Sequence, residues 1–263
     1  MTSSKEVPTP ESRNRDVILS TLELAGILDG LSAEEIGWVA DRATLRCMPS
    51  GSRIFVESEP CEGMWIVATG HVRSFHSFAE GRQQVVGFQS TGGCLDLAAA
   101  VDGRAHTVSC VAMDDCQLAL IPREILGELG RQQPLLIRNA VNQLCVEIRR
   151  HDIASAIATQ KDARGRVGCT LLRLAVQHGE QSDDGIRINW RLTRQDVADR
   201  AGVRIETAIR VLSDLQRQGI LRTRAQIIEI LEVEELERPA ECGDCLFDCT
   251  VFKDAVRIRA TGT

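Results

Sequence analysis

The stretch Leu192-Thr193-Arg194-Gln195-Asp196-Val197-Ala198, followed past Gly202 by Arg204-Ile205-Glu206-Thr207-Ala208-Ile209-Arg210-Val211-Leu212, reads as two short helices joined by a tight turn. Thr193 and Asp196 stand at the spacing of a capping box, in which the hydroxyl oxygen takes a free backbone N–H and the acid answers three residues later. The first helix ends near Gly202. The second runs from about Arg204 to Gln218, before Gly219, a residue that readily takes the left-handed cap. On it Ala208, Val211, Leu212 and Leu215 recur at i, i+3, i+4 and i+7, which makes them a buried face and leaves Ile205, Glu206, Ile209, Arg210 and Arg217 outward. Two helices with a glycine turn form a helix-turn-helix. The strand pair Ile220 to Arg224 and Ile227 to Leu231 supplies a wing, with Arg222 and Arg224 on one side for phosphate.

Glutamate accepts from cytosine N4 and arginine donates two bonds to guanine, so Glu206 and Arg210, one turn apart, suit adjacent base pairs. Ile205 and Ile209 suit thymine methyls. A surface i,i+4 ion pair is the plainer reading of Glu206 and Arg210, but cap, turn, apolar face, wing and local charge together favour base readers. The expected DNA-contacting set is Thr193, Arg194, Gln195, Arg204, Ile205, Glu206, Ile209 and Arg210. The chain's net charge of −6 does not oppose this. Residues 161–231 carry 13 Lys+Arg against 9 Asp+Glu, a balance of +4 that leaves −10 elsewhere, and phosphate contacts respond to the nearby field.

Upstream of this module a helix is expected over Gly168 to His178, then a turn at Ser182 to Gly185 and a strand at Ile186 to Trp190, with a hinge near Gln160 to Gly165. Before the hinge, Ile137, Val141, Leu144 and Ile148 fall 4, 3 and 4 apart, a heptad-like stripe by which a helix packs on a copy of itself. Packing within its own domain is the other reading. Between about Leu45 and Pro122, short apolar runs separated by glycines predict β-hairpins in a roll or barrel. Met64 to Val72 reads as strand, turn, strand, and Ala79 to Arg82 as a second turn. The fold class expected is α+β, with a tail at 1–20, a sensory β-roll at 21–131, a dimerisation helix and hinge at 132–160, a winged helix-turn-helix at 161–236 and an extension at 237–263.

The first residues lack the apolar run of a signal peptide, and no segment offers the roughly 18 apolar residues of a spanning helix, so a cytoplasmic protein without a membrane partner is expected. Of ten cysteines, Cys47, Cys61, Cys94, Cys110, Cys116, Cys145 and Cys169 are scattered, most of them core in character. Cys242, Cys245 and Cys249 are packed into eight residues. Three thiolates that close can share one soft metal centre, zinc or iron–sulfur, with a fourth ligand from elsewhere. A thiol switch is the remaining reading. Cys242 and Cys245 lack the βαβ surroundings of a thiol oxidoreductase, so no enzyme is expected.

The helix-turn-helix residues, the glycine-punctuated roll and the helix between them resemble the CRP/FNR regulator superfamily in order and over nearly the whole chain. The resemblance implies a homodimer on palindromic double-stranded DNA, with RNA polymerase as partner. It implies that Glu206 and Arg210 read bases, and that Ile205 favours TTGA-like half-sites, while Ile209 departs from the FNR pattern. At the family's cyclic-nucleotide positions stand Gly93-Cys94-Leu95-Asp96-Leu97 and His106-Thr107, which depart from its Gly-Glu and Arg-Ser pairs. The cysteine tail is similar to an FNR branch that carries a 4Fe-4S cluster on a C-terminal extension, with an aspartate as fourth ligand. The corresponding position here is Ile157. Asp152 is taken as the fourth ligand, with Cys145, Asp162, Asp244 and Asp248 as rivals. The implied signal is oxygen, nitric oxide or redox state. The alternative is a small ligand or haem in the roll, for which His71, His76 and His106 are candidates, with the tail binding zinc or switching as thiols.

Overall fold

The computed structural model describes residues 10–237. These form two compact units, one built on residues up to 77 together with 86–147, the other on 78–85 together with the residues from 148 onward.

The first unit begins with α1 (Pro10–Leu24) and α2 (Ala33–Ala40). Its strands are β1 (Thr44–Met48), β2 (Arg53–Phe55), β3 (Gly63–Thr69), β4 (Val72–Ser77), β5 (Gln83–Gln89), β6 (Cys94–Leu95), β7 (Ser109–Ala112) and β8 (Cys116–Pro122). The short α3 (Leu97–Asp102) follows β6, and α4 (Arg123–Gln132) and α5 (Pro134–Gln160) follow β8; β5 and α5 cross the division, residues 83–85 and 148–160 belonging to the second unit. The strands make two sheets, in the orders β1-β8-β3-β6 and β2-β7-β4-β5.

The first sheet is apolar on both faces, which is why β3 reads as an uninterrupted hydrophobic run. Successive side chains of a strand point to opposite faces. Trp65, Val67, Leu118 and Leu120 pack with Phe55, Val72 and Cys110 between the sheets. Met64, Ile66, Ala119 and Ile121 pack with Leu22, Ile36, Val39, Leu129 and Ala140 from the helices. The register sets Trp65 opposite Leu120 and Ile66 opposite Ala119, so both alternations stay in phase.

Three expectations are corrected here. Met64 to Val72 is not a hairpin, because β3 and β4 lie in different sheets. Both edges of β3 are occupied, by β8 and β6, so the turn at Gly70 carries the chain across to the other sheet. Gly70 has φ +86, and a Cβ there would lie 2.7 Å from Cys116 Sγ and from an Asp114 carboxylate oxygen. The tail expected at 1–20 is helical from Pro10, because Ile18 and Leu22, one turn apart, are buried in the core. The helix expected from Gly168 starts at Ala163, because Asp162 caps it by accepting a 2.7 Å bond from Gly165 N–H.

Pro134, with its fixed φ and missing N–H, opens the 27-residue α5. Leu144 packs against the core of its own unit. Ile137, Val141 and Ile148 are about half exposed, and Cys145 is exposed beside them. The outward seam therefore runs through Cys145 and not through Leu144.

The second unit holds α6 (Ala163–His178), β9 (Gly179–Ser182), β10 (Gly185–Ile188), α7 (Arg194–Ala201), α8 (Ile205–Arg217), β11 (Leu221–Arg224), β12 (Ile227–Ile230) and α9 (Val233–Glu237). Its sheet runs β11-β12-β10-β9. Leu171, Ile188, Leu192, Leu212, Leu215, Ile228 and Ile230 are buried. Of the scattered cysteines, Cys61, Cys94, Cys110, Cys116 and Cys169 are buried, while Cys47 and Cys145 are exposed. Among the described residues, no helix is long and apolar enough to cross a membrane.

Candidate nucleic-acid interface

The start of α7 is fixed by a complete capping box. Asp196 N–H donates to Thr193 Oγ1 at 3.0 Å, and Thr193 N–H donates to Asp196 Oδ2 at 2.9 Å. The Thr193 hydroxyl also donates to Asp196 Oδ2 at 2.6 Å, so this side chain is committed to holding the helix. Arg194 is half-buried and Gln195 is exposed, its amide donating to Asp199 Oδ1 at 2.6 Å. Gly202 ends the helix in the left-handed conformation, φ +62.

Arg204 takes the N-cap position of α8 without a side-chain cap bond, its carbonyl accepting from Thr207 N–H at 3.0 Å and from Ala208 N–H at 3.1 Å. Ala208, Val211, Leu212 and Leu215 are buried, the face read from their spacing. Arg204, Glu206, Ile209 and Arg210 are exposed and Ile205 is half-buried. Ile209 is 41% exposed, an apolar side chain in open water one turn beyond Ile205. Among the described residues no ion pair joins Glu206 to Arg210, so both remain available to a partner.

The wing is β11 and β12, with Arg224 opposite Ile227 and a two-residue turn of Ala225 and Gln226 between them. Both turn residues have positive φ, +48 and +66. That is the primed turn that matches strand twist, here built without glycine. Arg222 is not the free phosphate contact expected. Its guanidinium donates to Glu229 Oε2 at 2.6 and 3.0 Å and to Asp184 Oδ2 at 2.7 Å. Arg224, two residues on, is exposed.

Glu229 is the functional-region residue that sequence reasoning missed. It accepts from Ser182 Oγ at 2.6 Å and from Arg187 Nη2 at 3.1 Å as well as from Arg222. Those hydrogen bonds, Ser182 first and the arginines next, hold its carboxyl down at about 2. The strand registers place Glu180, Arg187, Glu229 and Arg222 in one row of alternating charge across the sheet. A cavity of about 240 Å³ opens beside this row, lined by Arg187, Asn189, Arg222, Arg224, Ile227 and Glu229. Its only sequence signal is an acid alone among isoleucines in Ile227-Ile228-Glu229-Ile230. On α7, burial, then the charges of Arg173 and Arg150, push the Arg200 guanidinium down to about 10.

Cys242, Cys245 and Cys249 lie outside the described residues, with Asp244 and Asp248. Asp152 is exposed on α5, and Asp162 is used as the cap of α6. Ile157 is buried against Cys169. Among the described residues, no group of three or more His, Cys, Asp or Glu could hold a metal ion. The three histidines considered for haem each face a separate carboxylate, His71 on Asp114 at 2.6 Å, His76 on Glu57 at 3.2 Å and His106 on Asp96 at 2.9 Å.

Two family models match the chain, a cyclic nucleotide-binding domain over residues 45–133 and a Crp-like helix-turn-helix domain over residues 165–239. The cyclic AMP receptor protein of Thermus thermophilus is 27% identical over 214 residues, covering 81% of this chain and 96% of that protein. The fumarate and nitrate reduction regulatory protein of Vibrio cholerae is 22% identical over 222 residues, covering 84% and 88%. The solved structure of FixK2 from Bradyrhizobium japonicum superposes with a TM-score of 0.67 at 26% identity, covering 74% of this chain and 96% of that one.

Proposed function

The chain is a transcription regulator of the CRP/FNR family, and on that premise we propose that it is a homodimeric reader of palindromic DNA whose signal enters through the cysteine tail. The observation that carries the DNA reading is the outward face of α8, where Glu206, Ile209 and Arg210 stand exposed and Glu206 and Arg210 are not paired to each other. Arg210 donates to guanine and Glu206 accepts from cytosine on TTGA-like half-sites, while Ile205 and Ile209 lie against thymine methyls. Arg194, Gln195 and Arg204 contact phosphates, which position the helix without carrying sequence information. Thr193 serves through the cap it forms.

The half-exposed seam Ile137, Val141, Cys145 and Ile148 supports self-association along α5. Two such protomers present two recognition helices to half-sites one DNA turn apart. RNA polymerase is the partner of the DNA-bound dimer.

The signal is read by an iron–sulfur cluster, taken as 4Fe-4S, on Cys242, Cys245 and Cys249. Three thiolates within eight residues suit it, and zinc is the alternative metal. Asp152, exposed on α5, is open to serve as fourth ligand, whereas Cys145 lies in the seam and Asp162 is occupied as a helix cap. Cys242, Cys245 and Cys249 would hold the cluster, and when bound it would supply chemistry sensitive to oxygen, nitric oxide or oxidation. The name of the Vibrio cholerae relative, which refers to fumarate and nitrate reduction, supports a redox signal.

The test is the absorbance spectrum with iron and acid-labile sulfide content of protein purified without oxygen, repeated after air exposure, alongside DNA binding in both states. A broad band near about 400 nm that is lost in air together with DNA binding is expected. Colourless protein carrying zinc assigns the tail a structural role. Equal DNA binding with and without oxygen, in wild type and in the triple Cys-to-Ser variant alike, refutes the switch.

A further inference from the structure

The turn between β6 and α3 holds Asp96 in the left-handed region, φ +46, a conformation that side chains rarely adopt. Its carboxylate is 2% exposed, and both oxygens are bonded. Thr107 N–H donates to Oδ2 at 2.8 Å and the Thr107 hydroxyl donates to Oδ1 at 2.7 Å. His106 Nδ1 donates to Oδ2 at 2.9 Å. The imidazole side chain is also 2% exposed and stacks on Phe55 at 3.6 Å between ring centres, 5° from parallel. The backbone carrying it is fixed on both sides, His106 N–H donating to Glu59 O and Ser58 N–H donating to His106 O, each at 2.8 Å.

A peptide N–H, a hydroxyl and a ring N–H, all from two consecutive residues, thus converge on the two oxygens of one anion. Donors arranged this way serve a phosphate or a small carboxylate as well as a side chain, because charge-assisted bonds depend on the oxyanion and not on what carries it. The strained backbone at Asp96 persists because these bonds hold it.

We propose that Asp96 is the resident anion of an oxyanion cradle in the cyclic nucleotide-binding fold, so that the roll is already liganded by its own chain. A cyclic nucleotide phosphate finds the donors taken and meets a buried like charge. Removing the carboxylate while leaving Phe55, His106 and Thr107 in place opens a site for a free oxyanion.

The experiment uses the full chain as wild type and as Asp96→Gly, a substitution that relieves the positive φ. Thermal unfolding is followed in sodium chloride, sodium formate and sodium phosphate at matched ionic strength, and the wild type is titrated calorimetrically with cyclic AMP and cyclic GMP. Asp96→Gly is expected to unfold below wild type and to gain roughly 3 °C or more in about 100 mM formate or phosphate over chloride. Wild type is expected to show no such difference and no saturable heat with either nucleotide. Equal responses of the two proteins to formate and phosphate overturn the proposal, as does a saturable cyclic nucleotide isotherm in wild type. The second result decides the matter even where the glycine variant does not fold.

Discussion

Replacing Glu229 by Gln removes one negative charge from the row that crosses the winged sheet and leaves its shape intact. The carboxylate is 7% exposed at its side chain and is held from 4.5 down to about 2. A displacement of that size corresponds to at most about 3.4 kcal/mol between the charged and neutral forms. Arg187 and Arg222 are 45% and 31% exposed at their side chains, so solvent screening reduces this by about half, to roughly 1.5 kcal/mol. In a domain of this size that corresponds to a melting point lower by roughly 6–12 °C at pH 7. The sign follows from linkage. A carboxyl whose folded pKa lies below its unfolded value contributes fully above about 4.5, and the contribution is lost as the pH falls toward about 2. At pH 3.5 about two-fifths of it has gone, and the gap between variant and wild type narrows in proportion. The assay is thermal unfolding followed by fluorescence of the buried Trp190, in a background with Trp38 and Trp65 replaced by Phe, so that the second unit reports alone. A gap that is absent at pH 7, or equally wide at pH 7 and pH 3.5, refutes the argument.

Arg210→Ala and Glu206→Ala should each weaken binding to a cognate half-site by about 1–3 kcal/mol, 5- to 150-fold, and relax preference at a different base pair. Competition gel shifts against unrelated DNA check this, since a mere phosphate contact would weaken both DNAs equally. Replacing Ala225-Gln226 by Asn-Gly should stabilise the wing by about 1 kcal/mol, because both positions have positive φ. Chemical denaturation detects it, and an unchanged midpoint contradicts the turn geometry. Ile148→Asp should shift the sedimentation profile toward monomer. In a chain whose tail cysteines and exposed Cys47 are serine, a short bis-maleimide should join two protomers through Cys145 and fail with Cys145→Ser. Joining that persists without Cys145 removes the seam.

How legible each part was depends on how local its causes are. The helix-turn-helix could be read because Thr193, Asp196, Gly202 and the apolar face of α8 act within a turn or two of themselves. Only the exact helix limits, Ile205–Arg217, differ from the expected span. The crossing at Gly70 could not be read, because an apolar run followed by glycine looks the same whether the next strand pairs beside it or joins a second sheet. Occupancy of both edges of β3 by β8 and β6 decides that, and β8 lies some fifty residues downstream. The seam of α5 was read one residue off, since Leu144 and Cys145 are both compatible with the stripe until the core that takes Leu144 is in place. The Glu229 row was hidden for the same reason, its partners Ser182, Arg187 and Arg222 being brought together only by strand register.

The same long-range pairing explains how a chain of net charge −6 presents a surface fit for DNA. Nine acidic residues in 161–231 offset thirteen basic ones on paper, yet the structure spends several of those acids inside the domain. Asp196 and Glu229 are buried, in the capping box and in the charge row, and Asp162 caps α6. Asp184 is paired with Arg222 and Asp214 with Arg217. Around α8 and the wing the exposed charged side chains include Arg191, Arg204, Arg210 and Arg224 against Glu206. A phosphate backbone responds to those outward charges within about a Debye length, roughly 8 Å at physiological salt, and not to the sum over the chain. The salt dependence of DNA binding should therefore fall when Arg204 or Arg224 is changed to Gln. It should stay constant when Arg222, already neutralised by Glu229 and Asp184, is changed the same way.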